Sequence, residues 1–389
     1  MKKNSRGNGE RTIGLDLGDK RSHWCVVDEA GEVERRDVVT TSRESMQRCF
    51  GRMEPCRIVI ENGSHARWVC SVVKEMGHEV IVANRRKSSG FIKGQKTDRS
   101  DAETLARVGR MDPKLLAPIQ YRGEQAQADR AVLKARDAVV RARTQLINQV
   151  RGVVKAHGGR VPACSAPAFA KKASLLIPTV LQAALDPLVR GIEQLNTLIK
   201  GYDKQIEGLC RKYPQTERLR QVTGVGPMIA VAFVVTVEDP ARFAKSRQVG
   251  PFLGLTPGQH QSGESDPQLR ISKAGDGYLR RLLVNGAQYI LGRFGPDCDL
   301  RRHGLKIAER GGKNAKKRAV IAVARKLAVL LHRLWVSSEP YDPLYNSKRA
   351  DRAATVACRP GVAQVPAGLL HSVTPLRVTA PTPARLGRK

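Results

Sequence analysis

The N-terminal part of the chain alternates short apolar runs with stretches of helical periodicity. Three apolar runs predict buried strands: 12–18, 57–61 and 79–83. Two further runs flank the Gly-containing turn 29–32 and predict a hairpin. Helical character covers 42–53 and 65–76, and another helix begins near Ser100. The predicted order is three strands in a meander, then helix, strand, helix, strand, loop and helix.

This order predicts a mixed α/β sheet, because parallel strands joined by helices follow an antiparallel hairpin. It is the order expected for a ribonuclease-H-like domain. In such a sheet the first and fourth strands are neighbours, and the last helix packs across them.

The segment 113–215 shows a different period, with apolar residues at alternating steps of three and four. One seam comprises Ala128, Val132, Ala135, Val139, Ala142 and Leu146. A second comprises Leu185, Leu188, Ile192, Leu195, Ile199, Tyr202, Ile206 and Leu209. Such a repeat of about 3.5 residues is typical of a coiled coil. The Gly/Pro/Ala-rich stretch 157–179 is either a hairpin tip or a disordered linker. Two alternatives stay open, a helical bundle within one chain and an arm that joins subunits.

The remainder divides into a compact helical region and a tail. An apolar helix at 219–232 is entered through the turn Gly224–Val225–Gly226, which resembles a helix-hairpin-helix phosphate-binding turn. A plain tight turn is the alternative. After Asp342 prolines and basic residues replace the periodic pattern, which predicts disorder. The predicted regions are an α/β domain at 1–112, a helical coiled-coil or linker region at 113–215, a mainly helical domain at 216–340 and a disordered basic Pro-rich tail at 341–389.

Composition indicates the kind of partner. The 389 residues include 68 Lys and Arg against 36 Asp and Glu, a net charge of +32. A charge this positive is typical of a protein that binds a polyanion, most often nucleic acid. Aromatic residues make up only 4% of the chain, which favours contacts to backbone phosphates over base stacking. A hydrophobic content of 41% excludes a wholly disordered basic protein.

The cysteines and the hydropathy pattern indicate a cytoplasmic protein. None of the eight cysteines forms a CxxC pair or a zinc-finger spacing, which predicts reduced thiols. The N-terminus lacks the apolar segment of a signal peptide, and no apolar run of membrane-spanning length is present. We therefore expect no membrane partner.

Four carboxylates lie where the predicted fold would bring them together. Asp16 is on the first strand, Glu61 ends the fourth, and Asp98 and Asp101 begin the last helix on one face. Converging carboxylates repel each other unless cations neutralise them, and such oxygen ligands favour Mg²⁺ or Mn²⁺. Two such ions stabilise the attacking and leaving oxygens of a phosphoryl transfer. Each acid alone has an ordinary alternative, since Asp98 would cap a helix and Glu61 would be a solvated strand end.

A second candidate site combines the Gly/Pro-broken loop 254–265 with the helix-forming segment 270–283. Backbone amides at its glycine turns, with Arg270, Lys273 and Arg280, make a phosphate cradle. Arg281 follows Arg280 directly.

Ser262 places a hydroxyl on this loop. By composition alone such a serine is an ordinary loop residue. Ser265 and Ser272 offer the same chemistry, although Ser272 would also cap the following helix. His260 lies two residues before Ser262, and proximity within one loop does not make it the base.

Together these two sites resemble one family, the DEDD transposases of the insertion-sequence family IS110, relatives of the Piv-type DNA invertases. The N-terminal match runs from about Thr12 to Arg110 through GLDLG, IENG and KTDRSDA. The C-terminal match runs from about Leu219 to Leu334 through QVTGVGP, GLTPGQHQSG and RISKAGDGYLR. The basic stretch 313–327 also resembles this family.

The resemblance implies a RuvC-like domain whose acids Asp16, Glu61, Asp98 and Asp101 bind Mg²⁺ or Mn²⁺. It implies a C-terminal transposase domain whose nucleophilic serine falls on Ser262. The expected nucleic-acid-binding residues are Arg270, Lys273, Arg280, Arg281, Lys313, Lys316, Lys317 and Arg318.

The resemblance also implies partners. Donor and target DNA would both pair with a structured bridge RNA. The protein would be cytoplasmic and associated with the nucleoid of a prokaryotic cell. A homotetramer assembled from dimers would place the acids of one subunit opposite the serine of another. The sequence departs from the family pattern at 263–266, which is more acidic than expected, and in the Pro-rich tail.

We therefore expect an RNA-guided DNA recombinase in which Ser262 Oγ attacks a phosphate, giving a phosphoserine link and a free 3′-hydroxyl. The alternative is a metal-dependent RuvC-like structure-specific nuclease without a covalent step, which has no need of the block 254–283. A non-catalytic nucleic-acid-binding protein would leave four acids in a basic chain unexplained.

Overall fold

The computed structural model describes residues 11–85 and 97–349. Its strands are β1 (Thr12–Asp16), β2 (Arg21–Val27), β3 (Val33–Thr40), β4 (Arg57–Glu61) and β5 (Glu79–Ala83). Its helices are α1 (Arg43–Phe50), α2 (Ala66–Glu75), α3 (Asp98–Met111), α4 (Glu124–Ala156), α5 (Phe169–Ser174), α6 (Thr179–Lys212), α7 (Gln215–Arg220), α8 (Pro227–Val237), α9 (Val249–Phe252), α10 (Gly277–Leu291), α11 (Asp299–Ala308) and α12 (Ala315–Ser337). Most of the basic stretch before α3, and the predicted disordered tail beyond Arg349, lie outside the described residues.

By its internal contacts the chain divides into two compact units. The first unit runs through Leu209 and also includes Ala232–Glu238, and the second comprises Cys210–Val231 and the described residues from Asp239 onward. Within the first unit, Arg122 Nε donates to the Thr236 carbonyl at 3.2 Å. The unit boundary therefore falls inside α8.

The sheet of the first unit has the strand order β3-β2-β1-β4-β5. The β1–β2 and β2–β3 pairs are antiparallel, and the β1–β4 and β4–β5 pairs are parallel. This arrangement confirms the predicted mixed sheet and the predicted contact between the first and fourth strands. It is compatible with a RuvC-like fold.

Different helices cover the two faces of the sheet. Ile13 and Leu15 of β1 belong to the core that α1 and α2 complete. Val59 of β4 packs instead with Leu105 of α3. Because successive strand residues point to opposite faces, the even-numbered positions of β1 and the odd-numbered positions of β4 face α3.

Helix α3 lies very close to β1 at Gly14. A Cβ at this position would be 1.9 Å from the Ala102 carbonyl oxygen and 2.5 Å from the Ala106 nitrogen. Both obstructing atoms are backbone, so a larger residue would displace the helix. Glycine here thus holds α3 against the strand that ends in Asp16.

Helices α4 and α6 form an antiparallel hairpin within one chain. Arg136 Nε donates to Asp203 at 2.6 Å, and Arg143 donates to Asn196 at 2.8 Å. The buried seam positions of α6 are Leu185, Ile192, Ile199 and Ile206. Half of the predicted second seam is therefore already buried inside a single subunit. The buried half of the seam agrees with the alternative of a helical bundle within one chain, and the arm that joins subunits stays a prediction.

The second unit is mainly helical, and α12 packs against α10 and α11. Residues at the start of the expected tail attach to α11, because Asp299 accepts hydrogen bonds from Asn346 and Ser347. No helix among the described residues is long and apolar enough to cross a membrane.

Candidate active site

The four carboxylates singled out in the sequence lie on the α3 side of the sheet. Asp16 ends β1 and Glu61 ends β4, and both occupy positions that face α3. The two strands are parallel neighbours, so both carboxylates lie at the same end of the sheet, where the strands finish. Asp98 and Asp101 lie in the first turn of α3. The fold therefore gathers side chains that are far apart in the sequence.

The first turn of α3 is capped by Thr97 and not by an aspartate. The Thr97 hydroxyl accepts from the Ser100 N–H at 3.2 Å, and the Ser100 hydroxyl accepts from the Thr97 N–H at 3.1 Å. This reciprocal pair is a capping box. The capping role considered for Asp98 is thus filled by another residue, and the Asp98 side chain stays 73% exposed.

Asp16 is electrostatically coupled to the other three acids. Burial, followed by the charges of Asp101, Asp98 and Glu61, raises the pKa of Asp16 from 3.8 to about 6, while His23 opposes the rise. The negative charges make ionisation of Asp16 unfavourable. A bound cation would reverse this balance, since it stabilises the ionised form of each acid.

The donor set fits a hard divalent cation. Carboxylate oxygens are the ligands that Mg²⁺ and Mn²⁺ prefer. Among the described residues, however, no three such side chains already surround one point closely enough to hold an ion. The acids are gathered on one face without being closed into a ligand cage.

His23 is a neighbour of this site that the sequence did not reveal. It lies on β2 directly opposite Asp16, so both side chains point to the same face. Its Nε2 is 3.7 Å from Asp98 Oδ2. The only signal in the sequence was the predicted β1–β2 hairpin. Its register places His23, seven residues after Asp16, opposite Asp16.

A second polar network, also missed, lies at the carboxyl ends of β1 and β4. The Trp68 indole N–H donates to His65 Nδ1 at 3.1 Å, so in the neutral ring the proton is on Nε2. That Nε2 lies 3.4 Å from Asp19 Oδ1. Trp68 thus fixes the tautomer of a histidine that follows Glu61 by four residues.

Ser262 lies at the tip of a hairpin in the second unit. Ser262 and Ser265 exchange backbone hydrogen bonds of 3.1 and 3.0 Å, and all residues of 259–270 are exposed. The two limbs are joined lower down, where Gly258 N–H donates to Arg270 O at 2.9 Å. Among the described residues, no side chain is hydrogen-bonded to the Ser262 hydroxyl. The structure leaves this hydroxyl exposed, with no base hydrogen-bonded to it among the residues described.

The base of this hairpin is tightly closed. Gly275 has φ +69°, and a Cβ there would be 1.9 Å from the Phe252 carbonyl oxygen. Arg280 Nη1 donates to the carbonyls of Leu253 and Ala274, both at 2.8 Å. The helix that follows is capped by Asp276, while Ser272 Oγ accepts from Ala274 N–H. Ser272 is therefore not the cap of that helix.

The predicted nucleic-acid-binding residues fall into three groups. Arg270, Lys273, Lys317 and Arg318 line a single cavity of the second unit. Lys313, just before α12, and Lys316, in its first turn, are exposed. Arg280 braces the hairpin as described, and the Arg281 guanidinium lies 5.3 Å from the centre of the Tyr278 ring.

Two family models match the chain. A transposase model for the DEDD domain of IS110 elements matches residues 13–158, and the model described as "Transposase IS116/IS110/IS902 family" matches residues 216–301. The first covers the sheet and the four acids, and the second covers the Ser262 hairpin.

Curated relatives extend over most of the chain. It is similar to the transposase for insertion sequence element IS1111A of Coxiella burnetii, with 28% identity over 85% of this chain and 91% of the relative. A probable family 20 transposase of Pseudomonas aeruginosa is 29% identical over 85% of this chain and 98% of the relative. The transposase for IS1328 of Yersinia enterocolitica is 26% identical over 72% of this chain and 84% of the relative.

A mixed sheet with four gathered acids, in a basic chain with these relatives, defines a DNA transposase of an insertion sequence. The chain belongs to the IS110 family of DEDD transposases.

Proposed function

We propose that this transposase cuts and rejoins DNA through a phosphoserine intermediate formed by Ser262, with Asp16, Glu61, Asp98 and Asp101 holding Mg²⁺ or Mn²⁺. The observation that carries the metal-dependent part is the gathering of the four acids, with Asp16 and Glu61 ending neighbouring parallel strands and Asp98 and Asp101 in the first turn of α3, and burial and the charges of the other acids raise the pKa of Asp16 to about 6. Such mutual repulsion is typical of a site that works with bound cations. DEDD transposases as a family generally depend on divalent metal, which supports the same assignment.

The chemistry divides between the two candidate sites. Ser262 Oγ attacks the scissile phosphorus, a new O–P bond forms, and the bond from phosphorus to the 3′-oxygen breaks. The serine proton passes to a base that the described residues do not supply at the hairpin, and the 3′-oxygen leaves as a hydroxyl. When bound, the divalent cations polarise the phosphate and stabilise the leaving oxygen. The phosphoserine ester conserves the bond energy, so rejoining needs no ATP.

The exposed position of Ser262 supports a nucleophile that acts on a site built elsewhere. A hydroxyl at the tip of a hairpin, with no base hydrogen-bonded to it in the described part of the chain, is a poor nucleophile by itself. In a homotetramer assembled from dimers, the acids of one subunit would act together with the serine of another. Arg270, in the returning limb of this hairpin, and Lys273, just after it, would hold the phosphate in line.

Sequence choice in this proposal comes from a bridge RNA that pairs with donor and target DNA. The protein then reads backbone and shape, which suits a chain with a net charge of +32 and few aromatic residues.

The nucleophile is tested by trapping the covalent intermediate on a denaturing gel. We expect wild-type protein to form a protein–DNA adduct with cognate DNA, guide RNA and Mg²⁺, and Ser262→Ala to form none while still binding DNA. Ser265→Ala and Ser272→Ala are matched controls on the same loop and should keep the adduct.

The alternative function, a metal-dependent nuclease, makes the opposite forecast. A metal-activated water would still cut DNA when Ser262 is replaced. Cleavage without an adduct in every protein would favour that nuclease. If the adduct survives Ser262→Ala but disappears in Ser265→Ala or Ser272→Ala, the covalent mechanism would be supported and the nucleophile would be that other serine.

A further inference from the structure

The second unit contains a groove of about 1540 Å³, here called the α12 groove. Its walls are the returning limb of the Ser262 hairpin at 268–271, helix α11, one side of helix α12 and the segment 339–346. The groove thus shares a wall with the hairpin whose tip carries the proposed nucleophile.

The α12 groove is strongly basic. Nine Lys and Arg side chains line it against three acids, and Arg247, Arg310, Arg325 and Lys326 were not among the residues predicted to bind nucleic acid. The acids already have partners. Asp299 accepts from Asn346 and Ser347, Glu339 pairs with Arg333, and Asp342 pairs with Lys348. Most of the positive charge in the groove is therefore not neutralised by the acids that line it.

His303, inside the groove, reports the same positive field. Its pKa is lowered by burial and then by the charges of Lys326, Arg310 and Lys306. A group that is harder to protonate because of nearby cations lies where an anion would be stabilised. Position and charge therefore agree on an anionic ligand.

The floor of the groove is aliphatic. Ile321, Val329 and Leu330 of α12 are half-buried there, as is Ile271 from the base of the hairpin. A nucleic-acid duplex presents phosphates and sugars outward and stacks its bases inside, so it has no apolar face to lay on this floor. Unpaired nucleotides expose base faces while their phosphates stay at the rim.

We propose that the α12 groove binds a short unpaired segment of nucleic acid, with phosphates on its basic rim and bases against its aliphatic floor. The proposal rests on the proposed function in that nucleic acid is the ligand, and it adds that the ligand here is single-stranded. Since the groove and the Ser262 hairpin share residues 268–271, the bound strand would lie beside the hairpin that attacks DNA. Unpaired DNA and unpaired RNA share this chemistry, and the test separates them.

The test measures binding by fluorescence anisotropy with the full-length protein in EDTA, which prevents cleavage. The probes are a short labelled DNA single strand, an RNA of the same sequence and the corresponding DNA duplex. The variant is Arg325→Glu with Lys326→Glu, two exposed residues of α12. The matched control is Lys171→Glu with Lys172→Glu, an equal charge change on exposed residues of α5 in the first unit.

We expect the groove variant to weaken single-strand binding at least about tenfold and duplex binding less than about threefold, because the removed cations hold phosphates of the bound single strand. The control should change both by less than about threefold. Stronger loss for RNA or for DNA identifies the source of the strand, and equal loss supports the shared chemistry.

Three results would overturn the proposal. Equal loss of duplex and single-strand binding would make the groove a general phosphate surface. An equal loss of single-strand binding in the control variant would show that the effect comes from the change in net charge alone. Unchanged single-strand binding would exclude an unpaired strand as the ligand of the groove. A change in molecular mass by light scattering in the same variant would then assign the groove to a second copy of the chain. Failure of the proposed function is distinguishable, because wild-type protein would then form no Ser262 adduct in the gel assay, while the binding assay in EDTA would still compare the groove variant with its control.

Discussion

Asp16 shows how the pKa of a single residue depends on groups from distant parts of the chain. Its pKa of about 6 reflects burial at the end of β1 and the charges of Asp101, Asp98 and Glu61. In the unfolded chain these groups are apart, and the pKa returns towards 3.8. Between pH 3.8 and about pH 6, the folded, metal-free protein therefore keeps a proton on Asp16 that the unfolded chain has lost. Stability falls as the pH rises through this window, and the loss is complete above about pH 6.

Replacing Asp16 with Asn removes this unfavourable ionisation. In EDTA at about pH 7.5 we expect Asp16→Asn to raise the free energy of unfolding by about 1 kcal/mol, a value reduced for the partial solvent screening of the site. At about pH 3, below both pKa values, the difference should nearly vanish, because the wild-type carboxyl is then largely protonated in both states. Urea unfolding at the two pH values measures it.

The same variant should lose DNA cleavage and Mg²⁺-dependent stabilisation but keep nucleic-acid binding, since carboxylates repel phosphates until a cation is bound. Glu29→Gln, an exposed acid in the β2–β3 turn, is the control and should change neither property. An Asp16→Asn protein that is less stable than wild type at both pH values would contradict the electrostatic account.

At the scale of elements, the α4–α6 hairpin shows that an unbroken apolar seam does not reveal its partner. The seam residues Ile192, Ile199 and Ile206 are at most 6% exposed within one subunit. A lysine at such a position would bury an unpaired charge. On the same helix, Leu198 is 52% exposed and offers a matched comparison.

We expect Ile192→Lys to lower the free energy of unfolding by about 3–5 kcal/mol, and Leu198→Lys to change it by less than about 0.5 kcal/mol. Denaturant unfolding measures the first quantity, and light scattering on the same samples reports the assembly. If Ile192→Lys instead reduced the assembly to smaller species of unchanged stability, the seam would join subunits in solution.

At the scale of the whole molecule, the net charge of +32 determines how strongly the affinity for DNA depends on salt. Binding through many phosphate contacts releases counterions, so affinity falls steeply with salt. We expect DNA binding to weaken about a thousandfold between about 50 and 200 mM KCl, measured by anisotropy in EDTA. Circular dichroism over the same range should be constant. A change below about tenfold would mean that phosphate contacts contribute little to the affinity.

Much of the first unit was predictable because its signals are local. The apolar runs at 57–61 and 79–83 coincide with β4 and β5, since burial on both faces leaves a short continuous apolar pattern. The element order then predicted that β1 and β4 are neighbours, and hence that Asp16 and Glu61 approach each other. Charge, family motifs and the identity of the four acids are likewise properties of the sequence.

Only the tertiary structure decided which groups meet across larger separations. The register of β1 and β2 places His23 beside Asp16, and the indole of Trp68 fixes His65 against Asp19. The α4–α6 contacts bury half of the α6 seam within one chain, and the α12 groove assembles residues from 247 to 346. The physical reason is the same in each case. A local pattern determines which face of an element is apolar or charged, whereas the partner of that face depends on packing between segments that are distant in the chain.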